Sequence, residues 1–264
     1  MGHRSAFRLE KWYLDAVADD GTTEIGYAAR LAMGPLALTL ASRLSCAPGE
    51  PPRTRTHLVG ASLPRLVGRT VTWRCPRGPA GTWTARQLGG EHVLLDGREG
   101  ALRWSCLFPA AAVELGRPGE PPLAALGYVE RLDLTLPPWR LPLRELRWGR
   151  FVAPTTSMVW IEWRGPQPLT LVLRDGQPAS DARVGDDGVS AVGAQLAWCP
   201  GEVLRDGELG TTVLRAVPVL RRALPAALLG THETKWRRRG TLTGPQGARA
   251  EGWVIHELVT FPPP

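Results

Sequence analysis

The residues best placed for chemistry lie in GYVERLDLTL, from Gly127 to Leu136. Side chains alternate across a strand, so Tyr128, Glu130, Leu132, Leu134 and Leu136 share one face, and Val129, Arg131, Asp133 and Thr135 share the other. With the leucines turned inward, Glu130 is buried or lines a cavity. A buried carboxylate is costly unless paired, and an apolar setting raises its pKa. Such a group can give or take a proton near neutral pH. Glu130 is therefore the candidate general acid, protonating an alkene or polarising a carbonyl, with Tyr128 orienting it. The competing reading pairs Glu130 with one of the chain's many arginines in a purely structural role. Asp15, on KWYLDAVADDGTTEIGYAARL (11–31), is a candidate pocket residue beside a predicted hairpin, although a paired structural aspartate is the commoner case. Tryptophans are unusually many, eleven against four phenylalanines. Trp148, Trp160 and Trp236 are candidate walls of an apolar ligand cavity; filling of a barrel interior is the alternative.

Other chemistries find less support. The four cysteines, Cys46, Cys75, Cys106 and Cys199, form no CxxC pair, and no metal-ligating spacing or cofactor-binding motif is present, so neither metal nor cofactor is expected. Cys75 and Cys106 share strand faces with Trp73 and Trp104 and are expected to be buried free thiols. His256, in phase with Val254 and Leu258, reads as a core histidine. The net charge is +7, with all but Lys11 and Lys235 of the 32 basic residues being arginine. These arginines are scattered rather than gathered on one aromatic-interleaved face, so no nucleic-acid partner is expected. No window approaches the ~18 uninterrupted apolar residues of a membrane helix, and MGHRSAFRLEKWYLD lacks the apolar stretch of a signal peptide. A cytoplasmic protein without an integral membrane segment is the expectation.

The elements that must hold these residues are short strands. TVTWRC (70–75), ALRWSCLF (101–108), SMVWIEW (157–163), LTLVLRDG (169–176) and WVIHELVTF (253–261) alternate with period two between turn signals such as DDG and RDG. SMVWIEW is apolar on both faces, with Glu162 at a rim. One helical stretch is predicted over 217–230, interrupted by Pro225. The proline-rich LGRPGEPPLAAL (115–126) marks a predicted boundary between an N-terminal unit, 1–118, and a C-terminal unit, 119–264. A weak repeat relates the two: Trp12 leads to GPLALTL (34–40) as Trp148 leads to GPQPLTLVL (165–173), and TVTWRCPRG (70–78) matches TKWRRRG (234–240) loosely.

WYLDAVADDGT (12–22), Gly127-Tyr128 opening a strand, RWGRF (147–151) and MVWIEW together resemble the carotenoid 1,2-hydratase (hydroxyneurosporene synthase) and AttH-like superfamily. The resemblance covers about a third of the chain. It implies an all-β fold of two tandem lipocalin-like β-barrels of calycin type, with at most one or two short helices. The sequence departs from the hydratases after the Gly-Tyr pair, where they carry a His-Asp-His-Asn-Trp-Gly-like stretch; here Glu130 stands about where an aspartate would be. The function expected is a cofactor-free hydratase, isomerase or cyclase acting on a hydrophobic terpenoid or polyketide in a cavity between barrels. A non-catalytic carrier of apolar small molecules is the alternative, and a protein-interaction module using basic patches is a third.

Overall fold

The structure is a computed structural model, and it describes residues 7–116, 119, 121–212, 215 and 217–262. Strands dominate it, and the chain divides into two compact units, Met1–Leu141 and Pro142–Pro264. In the first unit the sheet runs Arg53–His57, Leu36–Cys46, Thr23–Met33, Phe7–Val17, Leu123–Leu134, Gly100–Gly116, Ala80–Gln87, Thr70–Arg74, Arg65–Val67, with Glu91–Gly97 also paired to Gly100–Gly116. In the second it runs Gln177–Pro178, Leu169–Arg174, Ser157–Arg164, Glu145–Val152, Arg249–Thr260, His232–Thr243, Ala194–Trp198, Gly188–Ala191, Arg183–Val184, with Glu202–Glu208 also paired to His232–Thr243. The order is the same strand for strand, and neighbours are antiparallel. Each sheet curls around its own apolar interior, giving two tandem lipocalin-like barrels. Two short helices, Pro218–Ala223 and Ala226–Leu229, flank Pro225, whose ring cannot continue a helix.

Two details differ from the sequence expectation. The units divide at Leu141/Pro142, not at residue 118, because Leu123–Leu134 pairs with both Phe7–Val17 and Gly100–Gly116 in the first sheet. The proline-rich stretch joins two paired strands rather than two units. The repeat is also only half as drawn. The Gly34-Pro35 and Gly165-Pro166 turns do occupy matching places, each leading into the third strand of its unit. Thr70–Arg74, however, matches Gly188–Ala191 in the sheet order, not the strand that contains TKWRRRG.

The registers make the two units comparable residue by residue. A Cβ on Gly127 would lie 2.0 Å from the carbonyl oxygen of Asp15, and one on Gly252 would lie 2.3 Å from that of Val152. These two glycines therefore mark the same close approach of backbones. From that anchor, Leu14 and Val129 match Phe151 and Val254, all four of them interior. The first barrel's interior also holds Trp12, Trp73, Trp83 and Phe108; the second's holds Met158, Trp160, Trp198 and Leu242. One size exchange stands out. Trp12 faces Ala28 across the first pair of strands, whereas its counterpart Gly149 faces Trp160. A Cβ on Gly149 would lie 2.2 Å from Trp160 Cζ2, so the glycine makes room for the indole.

Candidate functional site

In the first barrel the polar cluster lies on the sheet face opposite the packed interior. Val129 is interior, so Tyr128 and Glu130, its neighbours along the strand, point the other way. The leucine face expected to meet the core is thus the outer face of this barrel. Glu130 is nevertheless buried, 6% exposed. Its Oε2 accepts the Trp104 indole N–H at 2.6 Å and the Tyr128 hydroxyl at 2.9 Å. Tyr128 and Trp104 are themselves fully enclosed. Beside them Tyr13, opposite Glu130 in the ladder, donates its hydroxyl to Asp15 Oδ2 at 3.0 Å. The Tyr13 ring lies 5.3 Å from Tyr27 and 6.0 Å from Tyr128, and Lys11 Nζ sits 5.7 Å from the Tyr27 ring centre. From the interior side, the Trp83 indole donates to the Asp15 carbonyl at 2.7 Å.

Burial sets the protonation of the donors. It pushes the Tyr128 hydroxyl well above the ordinary phenol value, with Cys106 and Glu130 adding to the shift, so Tyr128 stays a donor. Burial likewise raises the Cys106 thiol, which lies on this same face with Trp104. Both donors, the Tyr128 hydroxyl and the Trp104 indole, are held on a single oxygen of the Glu130 carboxyl.

The second barrel carries different chemistry at the corresponding places. Tyr13 is matched by Arg150, Asp15 by Val152, Tyr128 by Trp253 and Glu130 by Ile255. Trp104 and Cys106 are matched by Lys235 and Arg237. Arg150 is fully buried and donates to the Trp253 carbonyl at 2.7 Å. Lys235, also fully buried, pairs with Glu257, lies 3.8 Å from Glu233 and sits 5.2 Å from the Trp148 ring centre. Arg205 meets Glu233 at 3.2 Å, and Arg237 pairs with Glu202. On the interior side of the same sheet, a recess of about 200 Å³ opens between Trp160, Trp198, Trp236, His256, Arg147 and Arg238.

The sequence-derived candidates thus fall in three places. Tyr128, Glu130 and Asp15 come together in the first barrel. Trp160 and Trp236 come together in the recess of the second. Trp148 lies on the opposite face of that second sheet, beside Lys235. Tyr13 and Trp104 were missed, although each stands two residues from a singled-out partner, Asp15 and Cys106, and so shares its strand face. The buried Lys235, Glu233 and Arg237 were missed because a run of charges reads as a surface. His256 was read as core; it lines the recess instead.

No protein-family model matches the chain, and no curated protein does. Solved structures do. CghA, solved with Sch210972, superposes with a TM-score of 0.58 at 13% identity, covering 96% of this chain and 88% of that one. The kievitone hydratase of Nectria haematococca gives 0.52 at 11% identity, over 95% and 88%. An AttH-type protein from Nitrosomonas europaea gives 0.50 at 12% identity, over 96% and 92%. The chain has the AttH-like fold. At these identities the likeness concerns the tandem-barrel architecture, and one fold hosts many chemistries. A function for this chain must therefore be argued from its own residues. Among the described residues no helix is long and apolar enough to cross a membrane, and no group of three or more His, Cys, Asp or Glu could hold a metal ion.

Proposed function

We propose that the chain catalyses an acid–base reaction on a hydrophobic conjugated molecule, a hydration, isomerisation or cyclisation of a terpenoid or polyketide skeleton, with Glu130 as the proton carrier. The observation that carries this reading is the buried Glu130 carboxylate held by Tyr128 and Trp104. A proton-transfer group works when it is desolvated, positioned and able to accept and return the same proton. In an isomerisation, Glu130 takes a proton from carbon and redelivers it elsewhere on the conjugated system. In a hydration of a conjugated carbonyl compound, Glu130 takes the proton of the attacking water as the C–O bond forms and then returns that proton to the neighbouring carbon, so that one water adds across the double bond. Tyr128 holds the carboxylate in place, and Asp15 with Tyr13 forms a second phenol–carboxylate pair beside it. Trp160, Trp236 and Trp148 belong to the second unit, on different faces of its sheet, and carry no part of this reading. The architecture shared with a hydratase and with CghA is compatible with this reading.

The test follows the proton. The protein is incubated in D₂O with a panel of conjugated polyenes and enones, and products are read by mass spectrometry. Turnover with deuterium incorporation is expected, and Glu130→Gln should abolish it while retaining ligand binding. A second reading, a carrier of apolar molecules, is favoured by one fact: two donors already occupy Glu130 Oε2, as they would in a purely structural acid. Under that reading, ligand co-purifies unchanged and Glu130→Gln leaves its binding and release unaltered.

A further inference from the structure

The recess in the second barrel is built only from residues of Pro142–Pro264, and its composition is specific. Stacked ring pairs run through it. Trp160 and Trp198 have centroids 5.4 Å apart and planes 9° apart, Trp198 and His256 lie 5.0 Å apart, and His256 and Trp236 lie 4.8 Å apart. Arg238 sits over Trp236 at 5.5 Å. The polar atoms of this wall are incompletely used. His256 Nε2 and Arg238 Nε are both buried without a hydrogen-bond partner. Buried polar groups are normally satisfied, so two orphans in one cleft point to a missing occupant.

Charge narrows what that occupant is. Arg147 is committed to Glu145 at 2.7 Å and Asp186 at 2.6 Å, and Glu257 is committed to Lys235. Arg238 pairs with no carboxylate among the described residues; its Nη1 reaches only the Cys199 carbonyl, at 3.4 Å. Burial, reinforced by Arg238 and Lys235, holds His256 down to about 3, so the imidazole is neutral and adds no second cation. One uncompensated guanidinium therefore faces the recess among indole rings. The Nε–H of arginine can only donate, so it needs an acceptor. The volume is below the roughly 300–1,000 Å³ of pockets for drug-sized ligands.

We infer that this recess is a separate binding site for a small planar monoanion, an aromatic or conjugated carboxylate, with its ring along the edge of the Trp198–His256–Trp236 stack and its carboxylate at Arg238. At the matching positions of the first barrel, Trp160, Trp236 and His256 are replaced by Ala28, Ser105 and Arg131. The site stands or falls independently of the role of Glu130.

Calorimetric titration with benzoate, benzamide, cyclohexanecarboxylate and inorganic phosphate tests it. Benzoate is expected to bind about tenfold more tightly than benzamide, the difference a charge-assisted hydrogen bond makes. It should also bind more tightly than cyclohexanecarboxylate, which is not planar. Arg238→Gln should erase the benzoate-over-benzamide preference, and Trp236→Leu should erase the preference for the planar ring. In wild-type protein, benzoate should shift the indole N–H resonances of Trp236 and Trp198, a readout that survives if a variant fails to fold. Benzoate binding no better than benzamide, tighter binding of phosphate, an unchanged preference in Arg238→Gln, unshifted indole signals or no binding up to the solubility limit would each overturn the inference.

Discussion

The two barrels share every strand pairing in the same order, yet the faces opposite their interiors carry opposite chemistry. The first gathers phenols and carboxylates, Tyr13, Asp15, Tyr128 and Glu130, with an indole donor from Trp104. At matching positions the second places Arg150, Val152, Trp253, Ile255 and Lys235. The interiors diverge too: Trp12 over Ala28 in one is Gly149 under Trp160 in the other. Strand pairing depends on the backbone and on alternation, which both sets of residues respect. Side-chain chemistry at a given register position is left free. Repetition of a fold inside one chain therefore carries no information about which copy performs a reaction.

The comparison can be broken at four points. Trp160→Ala should destabilise the second barrel by about 4 kcal/mol, the usual cost of emptying a large aromatic site. In that background Gly149→Ala should be nearly harmless, whereas alone it should cost about 1–3 kcal/mol through overpacking. A double-mutant cycle from chemical denaturation measures the coupling, and additive effects would refute the size exchange. Lys235→Met comes next, at about 3 kcal/mol, because it removes the buried cation paired with Glu257 and leaves Glu233 to Arg205; thermal unfolding reads it.

The third point is pH. His256 has a folded value lowered from 6.5 to about 3 by burial, with Arg238, Lys235 and Arg147 lowering it further and Glu257 opposing. The unfolded chain takes up a proton near 6.5 that the folded chain refuses. Stability from this group is complete above that pH and is lost as pH falls toward 3, by up to about 1.4 kcal/mol per unit. Unfolding curves of wild type and His256→Phe between pH 7 and 4.5 should diverge accordingly. Arg131, the matching residue of the first barrel, should give no such divergence when changed to Gln. The smallest effect is expected for Glu130→Gln. Its amide oxygen can still accept from Tyr128 and Trp104, so stability should fall by only about 1 kcal/mol, even where turnover vanishes. A loss as large as that of Lys235→Met would make Glu130 a structural ion.

Much of this was readable from the chain. Alternation and turn residues defined the strands, and the phase of GYVERLDLTL required a shielded Glu130. Cys75 and Cys106 are buried free thiols, as their places beside Trp73 and Trp104 implied. What the sequence could not reveal was which side of that strand was the barrel interior. The face carrying Arg131, Asp133 and Thr135 reads as the solvent side, yet it is the one that Val129 shares with the interior, while the leucine face is covered from outside. The boundary was misplaced because a proline-rich hairpin and a linker have similar composition. Arg237 and Lys235 looked solvated because charge alone does not disclose that Glu202 and Glu257 lie across the ladder from them. His256 looked inert because its ring partners Trp198 and Trp236 are distant in sequence.

The Gly149–Trp160 contact also constrains history. If both barrels descend from one duplicated ancestor, a tryptophan could not have occupied both positions, since even a methyl group on residue 149 would collide with the Trp160 indole. Side chains at these two facing positions therefore had to change together, a gain of bulk at one matched by a loss at the other.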